Sequence, residues 1–195
     1  IKFANKQEWV LFWGSDDYAS TKNTLMEFVN IYNYSEKIHN LKPDLIVLAG
    51  RYFNLLNRKK TRTTFFSPSK DLLTFNSNDI KKKFLLGFSI PHQCVAFSPR
   101  SIMLLDNYDE EFKLAADLHC FLELISKYEI NLATLNKVVV NIADSGISNR
   151  LRDQRLNEVF NIYKKFYPRI YIFPITLRYV RRIINKIILF KFNKK

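Results

Sequence analysis

The sequence predicts an α/β domain built on a largely parallel sheet. Three observations carry this. Short strand-like segments occur at Glu8–Trp13, Asp44–Ala49, Cys94–Phe97 and Val138–Ile142, built on the unbroken apolar runs Trp9–Trp13, Leu45–Ala49, Cys94–Phe97 and Val138–Val140; longer stretches with apolar residues at helical spacing lie between them; and the chain has only four Gly and six Pro, with no repeat or low-complexity tract. Runs that are apolar at every position suit strands buried on both faces. Strands that alternate with helices favour a parallel sheet. At 195 residues the chain fits one domain with a small appendage. The division expected is a domain over 1–168 and a basic tail over 169–195.

Each element has its own signal. Trp9 to Trp13 stops at Gly14-Ser15-Asp16-Asp17, a turn-forming set, and reads as a central, buried strand. Leu25, Phe28, Val29 and Tyr32 predict a helix over Thr21–Tyr34, with Ser20 or Thr21 as its cap. Arg51–Phe66, broken by the basic turn Asn57–Thr61, suggests a hairpin, and the polar stretch Ser67–Asn78 a loop. A short helix is expected over Asp79–Leu86, and Pro99 suits the first turn of another reaching Leu105. Asn107-Tyr108-Asp109 reads as a turn. Stronger helices run over Leu114–Tyr128 and Asn149–Phe166, the second capped by Ser148. In sheets of this class ligands bind at the carboxyl ends of strands, where Asp16 and Asp17 fall.

The formal charge is +13, and its excess lies in the tail: no acidic residue follows Glu158, while ten Lys and Arg fall between Lys164 and Lys195. Leu177, Val180, Ile184, Ile187 and Ile188 line one helical face there, with Arg178, Arg181, Arg182 and Lys186 largely elsewhere. That pattern is a basic amphipathic helix, suited to an anionic membrane surface. The two cysteines, Cys94 and Cys120, suggest neither a disulfide framework nor a zinc cluster, and favour a reducing, cytosolic setting. The chain opens at Ile1 without Met or the phases of a signal peptide, so its start is expected upstream. No apolar run approaches the roughly 20 residues that cross a bilayer. A peripheral place at the inner face of the membrane is the expectation.

Two adjacent carboxylates after a buried strand serve either as a turn device or as ligands of a hard divalent ion that bridges phosphates. Resemblance separates these. Phe3-Ala4 followed by Glu8–Asp17, Ile90-Pro91-His92-Gln93 with Phe97 and Arg100-Ser101, Tyr108-Asp109-Glu110 with Lys113–Asp117 and Phe121-Leu122, and Ser145–Asn149 stand in the order and approximate spacing of family 2 glycosyltransferase motifs. Through about Lys165 the chain resembles the bacterial polysaccharide-building branch of that family, of GT-A type, without its leading nucleotide-binding strands.

The resemblance implies a set of roles. Asp16, with Asp17 as second candidate, would hold Mg²⁺ or Mn²⁺; Ser15, His92 and Gln93 would contact substrate; Asp117 would be the general base. Gly14 stands where many members carry the first Asp of the metal motif, and His119 replaces an acidic residue often found two positions after the base. The implied reaction is inverting transfer of a sugar from a nucleotide-sugar donor to a hydroxyl of a glycan or lipid-linked glycan. Two other readings stand beside it. One is a non-catalytic transferase remnant, separable by the upstream coding sequence. The other is a basic nucleic-acid-binding module, disfavoured because no RNP-like strand, zinc spacing or helix-turn-helix pattern is present and most aromatics fall in apolar runs. No nucleic-acid partner is expected.

Overall fold

Leu45–Ala49 is apolar at every position and wholly buried, because helices cover both faces of the strand that contains it. In the computed structural model, which describes residues 7–105, 109, 111–144 and 151–192 (the side chains of 182 and 185–192 aside), this strand is the centre of the fold. The strands are β1 (Val10–Leu11), β2 (Tyr18–Ala19), β3 (Leu45–Phe53), β4 (Lys60–Thr64), β5 (Leu73–Asn76), β6 (Val95–Phe97) and β7 (Asn131–Ala143). The helices are α1 (Thr24–His39), α2 (Ser77–Leu85), α3 (Pro99–Leu104), α4 (Ala116–Lys127), α5 (Arg152–Phe166) and α6 (Ile172–Phe192), with a 3-10 turn at His92–Cys94.

The sheet order is β1-β6-β3-β7-β2, with β4 also on β3 and β5 also on β7. The α/β class holds, but the sheet is mixed. Among the described residues only β3 and β7 pair in parallel. β6 is antiparallel to both β1 and β3, so β1, β3 and β7 nevertheless run in one direction. Their carboxyl ends share one edge of the sheet with the amino ends of β2, β4 and β6.

β1 is an edge strand in this sheet, not the central one its composition suggests. It is apolar on both sides because both sides are covered. Trp9 and Leu11 pack on the cluster of Phe28, Ile31, Leu48 and Val140, while Phe12 packs on the opposite cluster of Leu45, Phe97, Phe121 and Leu122. The stretch expected to be a loop contains β5, whose four residues pair antiparallel with Asn131–Thr134.

β7 begins seven residues before the expected strand. The polar pair Asn136-Lys137 is carried by a bulge, since the register against β3 shifts from Val47↔Thr134 to Ala49↔Val138. There the Asn136 N–H donates to the Ser69 carbonyl, and Lys137 Nζ reaches Glu27 Oε2 at 2.7 Å.

Neither expected cap serves α1. Ser20 donates instead to the Val138 carbonyl at 2.8 Å, Thr24 to that of Val139 at 2.9 Å, and Asn23 is the capping residue without a side-chain bond. The proposed Ser148 cap and most of the 107–109 turn lie outside the described residues.

Asp44, 5% exposed, fixes the start of β3 to its neighbours. Its Oδ1 accepts from Arg100 at 2.8 Å and its Oδ2 from the Asn131 N–H at 2.8 Å, while its carbonyl accepts from Ser98 and Ser101. A buried carboxylate satisfied in this way is a strut between β3, β7 and α3.

α6 lies against the end of α2. Gly87, at φ +76, allows the approach, since a Cβ there would stand 2.4 Å from the Arg178 nitrogen. Arg181 Nε donates to the Leu86 carbonyl at 2.8 Å and its guanidinium stacks on Phe88 at 3.9 Å. Arg181, one of the basic residues of this helix, therefore docks it against the end of α2. Val180, Ile183 and Ile184 are exposed.

Candidate functional site

The site is the sheet edge where β1, β3 and β7 end. After β1 the chain turns sharply at Gly14–Asp17. The Asp17 N–H donates to the Gly14 carbonyl at 3.1 Å, and the Gly14 N–H donates to Asp17 Oδ2 at 2.8 Å. A Cβ at residue 14 would come within 3.1 Å of that oxygen, so Gly at this position suits the folded-back carboxylate. The other oxygen, Oδ1, accepts from the Ala143 N–H at 3.1 Å, fastening the turn to the carboxyl end of β7.

Asp17 is thus a structural tie within the turn, with both oxygens already accepting backbone hydrogen bonds. Asp16 and Ser15 are exposed beside it. Trp13 Nε1 donates to the Gln93 carbonyl at 2.9 Å, which holds the turn against His92–Cys94. Ser15, Asp16 and Asp17 therefore share an edge with His92 and Gln93, although eighty residues separate Trp13 from Gln93.

His92 faces the first turn of α4. Its Nδ1 lies 3.8 Å from Asp117 Oδ2, and the Asp117 side chain is 40% exposed. Asp117 Oδ1 accepts from the Leu118 N–H at 2.8 Å, one of the N-terminal amides that an α-helix leaves without an internal partner. One carboxylate oxygen is occupied and the other points at the imidazole and solvent.

Residues not foreseen from the sequence complete the edge. Arg62, on β4, lies 3.9 Å over the ring of Tyr52 on β3 and 3.8 Å from Asp144, which follows β7. Thr61 Oγ1 donates to Asp144 Oδ2 at 3.0 Å. Burial pushes the Tyr52 phenol up; Arg62 opposes this, while Cys94, Asp117 and Asp144 add to it. Burial, with help from Asp17, raises the Cys94 thiol too, which keeps it protonated and unreactive. Tyr52 and Arg62 carry no recognisable motif. They come together through the β3–β4 pairing of Tyr52 with Arg62.

His119, two residues after Asp117, points away from this edge. Its side chain is 3% exposed, stacked on Phe112 at 4.8 Å, and its Nε2 lies 3.0 Å from Lys165 Nζ and 3.6 Å from Asp109 Oδ2. Its Nδ1 lies 3.9 Å from Glu123 Oε2. Burial, then the Lys165 charge, pushes its pKa down, so the ring is held neutral.

Among the described residues no three His, Cys, Asp or Glu converge as a ready-made metal site. The exposed Asp16 carboxylate next to Asp17 fits a different arrangement, in which a hard cation takes one or two protein oxygens and completes its shell with phosphate and water.

No protein-family model matches this chain, and neither does any curated protein. Solved structures of the S. aureus protein TarS do. TarS itself matches with a TM-score of 0.50 at 17% identity over 80% of this chain and 24% of that one. TarS 1–349 matches with a TM-score of 0.51 at 17% identity over 85% of this chain and 49% of that one. TarS 1–349 in complex with UDP-GlcNAc matches with a TM-score of 0.54 at 16% identity over 80% of this chain and 42% of that one. The chain spans between about a quarter and about half of the length of these structures. At such identities the likeness is one of fold: a mixed sheet flanked by helices is common to this chain and to TarS.

Proposed function

We propose that this protein is an inverting glycosyltransferase of family 2 type, which binds a nucleotide-sugar donor at the edge bearing Asp16 and transfers the sugar to a hydroxyl of a glycan or lipid-linked glycan in cell-surface polysaccharide synthesis. One observation carries the reading. The Gly14–Asp17 turn, His92 and Asp117 converge on a single sheet edge in a fold shared with TarS, which has been solved with the nucleotide sugar UDP-GlcNAc.

The arrangement suits the chemistry. An acceptor hydroxyl is a poor nucleophile at neutral pH, and a carboxylate within hydrogen-bond reach takes its proton as the new bond forms. Asp117 Oδ2 is the oxygen available for this, since Oδ1 is engaged by the Leu118 N–H. The acceptor oxygen bonds to the anomeric carbon from the face opposite the diphosphate, and the bond to the diphosphate oxygen breaks with its electrons. Asp16, with Asp17 beside it, would hold Mg²⁺ or Mn²⁺, which when bound would supply charge stabilisation for the departing diphosphate. Ser15, His92 and Gln93 are the substrate contacts of this reading, and His92 also orients Asp117 Oδ2.

The acid-free basic segment of α6, with Val180, Ile183 and Ile184 exposed, supports docking at an anionic membrane surface where a lipid-linked acceptor would lie. No helix among the described residues is long and apolar enough to cross a membrane.

The test is to incubate the full-length protein with nucleotide-sugar donors and oligosaccharide or lipid-linked acceptors, and to follow nucleoside diphosphate release and the configuration of the new linkage by NMR. Acceptor-dependent release with an inverted linkage is expected. Hydrolysis without transfer, or a retained configuration, would contradict the reading.

A further inference from the structure

The four residues before Asp117 hold no side chain that caps α4. Its N-cap is Ala115, which makes no side-chain capping bond. The backbone amides entering the helix are satisfied from another element. Glu158, on the second turn of α5, accepts from the Leu114 N–H at 2.7 Å and from the Ala115 N–H at 2.8 Å, both through Oε2.

Glu158 is 8% exposed. A carboxylate so deeply placed is costly unless fully bonded, and bonds from amides to an ionised oxygen are among the stronger neutral-to-charged contacts. Its negative charge also lies at the positive end of α4. Val159 and Ile162, on the same helix, pack in the core cluster with Phe112, Ala115 and Leu118, so the carboxylate arrives on a fixed support.

We infer that Glu158 is a positioning residue for Asp117. By holding the amides of Leu114 and Ala115, it sets the path by which the chain enters α4, and hence where Asp117 Oδ2 stands relative to His92. It does not touch substrate. This role rests on the transferase reading for its catalytic consequence, while its geometric part stands apart from it.

Both bonds fall on one oxygen, which decides the experiment. Gln at 158 offers a single amide oxygen with two lone pairs and can accept both; Ala accepts neither. Glu158→Gln and Glu158→Ala are compared with wild type in the full-length protein, with circular dichroism and thermal melts on each. Displacements of about 1 Å at a reacting group can cost on the order of 10²-fold in rate. Glu158→Ala is expected to lose about 10- to 100-fold in kcat while its donor affinity by calorimetry stays within about twofold; Glu158→Gln is expected to stay within about threefold of wild type.

A residue acting only through Asp117 has nothing left to act on once that carboxylate is gone. Adding Glu158→Ala to Asp117→Asn is therefore expected to cost no further activity. Additive losses, or donor affinity and kcat falling together as α4 unfolds, would overturn the inference. Should the wild type transfer no sugar, the transferase reading fails first, and amide exchange decides the geometry alone. Faster exchange of Leu114, Ala115 and Leu118 in Glu158→Ala, with β7 and the rest of α5 still protected, is the result expected. Unchanged exchange at Leu118 would overturn it.

Discussion

His92 and Asp117, twenty-five residues apart in sequence and carried by a 3-10 turn and a helix respectively, meet with 3.8 Å between Nδ1 and Oδ2. The first prediction follows from that meeting. Asp117→Asn keeps the shape of the side chain and its bond to the Leu118 N–H but cannot take a proton. Turnover should fall by about 10² to 10⁴, the usual scale for removing a positioned base, with donor affinity retained. Asp109→Asn is the control, because Asp109 lies at Lys165 and His119, on the far side of α4's first turn. A larger loss in the control would mean that the base is elsewhere.

Asp16 should act on the donor side. It is exposed and its neighbour Asp17 is tied to Gly14 and Ala143, so Asp16→Asn is expected to leave the melting temperature within about 2 °C while weakening metal-dependent binding of a nucleoside diphosphate by about tenfold or more. Calorimetry with Mn²⁺ and with chelator measures this. Binding that needs no metal and is indifferent to the substitution would argue against a cation at this turn.

His119 predicts a pH dependence of stability. Its folded pKa lies below the ordinary 6.5, because burial and Lys165 disfavour the charged ring against the opposing pull of Glu123 and Asp109. The unfolded chain therefore binds more protons in the window just below pH 6.5, and stability rises with pH through that window. The contribution is complete above pH 6.5 and lost on acidification towards the folded value. Urea melts at pH 7.5 and 5.5 should show a loss in wild type that is smaller in His119→Gln. Equal losses in both would remove His119 as the cause.

The tail should bind anionic vesicles. Each basic residue near such a surface is worth about 1 kcal/mol, falling with salt. Truncation after Ile175 removes the basic residues from Arg178 onward together with Val180, Ile183 and Ile184. Sedimentation with phosphatidylserine vesicles should drop for the truncated protein and for the intact one in high salt. Equal sedimentation of both proteins would sink the proposal.

Much of this architecture was legible because burial is written in composition. Leu45–Ala49, Val95–Phe97 and Val139-Val140 are apolar for the reason inferred, and α4 and α5 begin and end close to where their periodicity places them. What composition could not give was pairing. β5 was hidden in a polar stretch because its strand character comes from the Asn131–Thr134 edge, and the start of β7 was hidden by Asn136-Lys137, which the bulge turns outward to Ser69 and Glu27. β1 looked central because apolarity on both faces reports coverage, not position in the sheet. Of the site, Asp16, His92 and Asp117 were named through resemblance to a family, and the sheet edge brings them together. Glu158, Tyr52 and Arg62 had no local signal: each matters through a partner more than nine residues away in sequence, which a linear pattern does not record.

On the proposed function, the edge formed by Gly14–Asp17, His92–Cys94 and the start of α4 receives a nucleotide sugar. Titration of the ¹⁵N-labelled full-length protein with UDP-GlcNAc in the presence of Mg²⁺ reports which amides move. Saturable shifts are expected at Ser15, Asp16, Gln93 and Asp117, diminished in Asp16→Asn. Saturable shifts confined to α1, α2 or α6, or none with any nucleotide sugar, would contradict it.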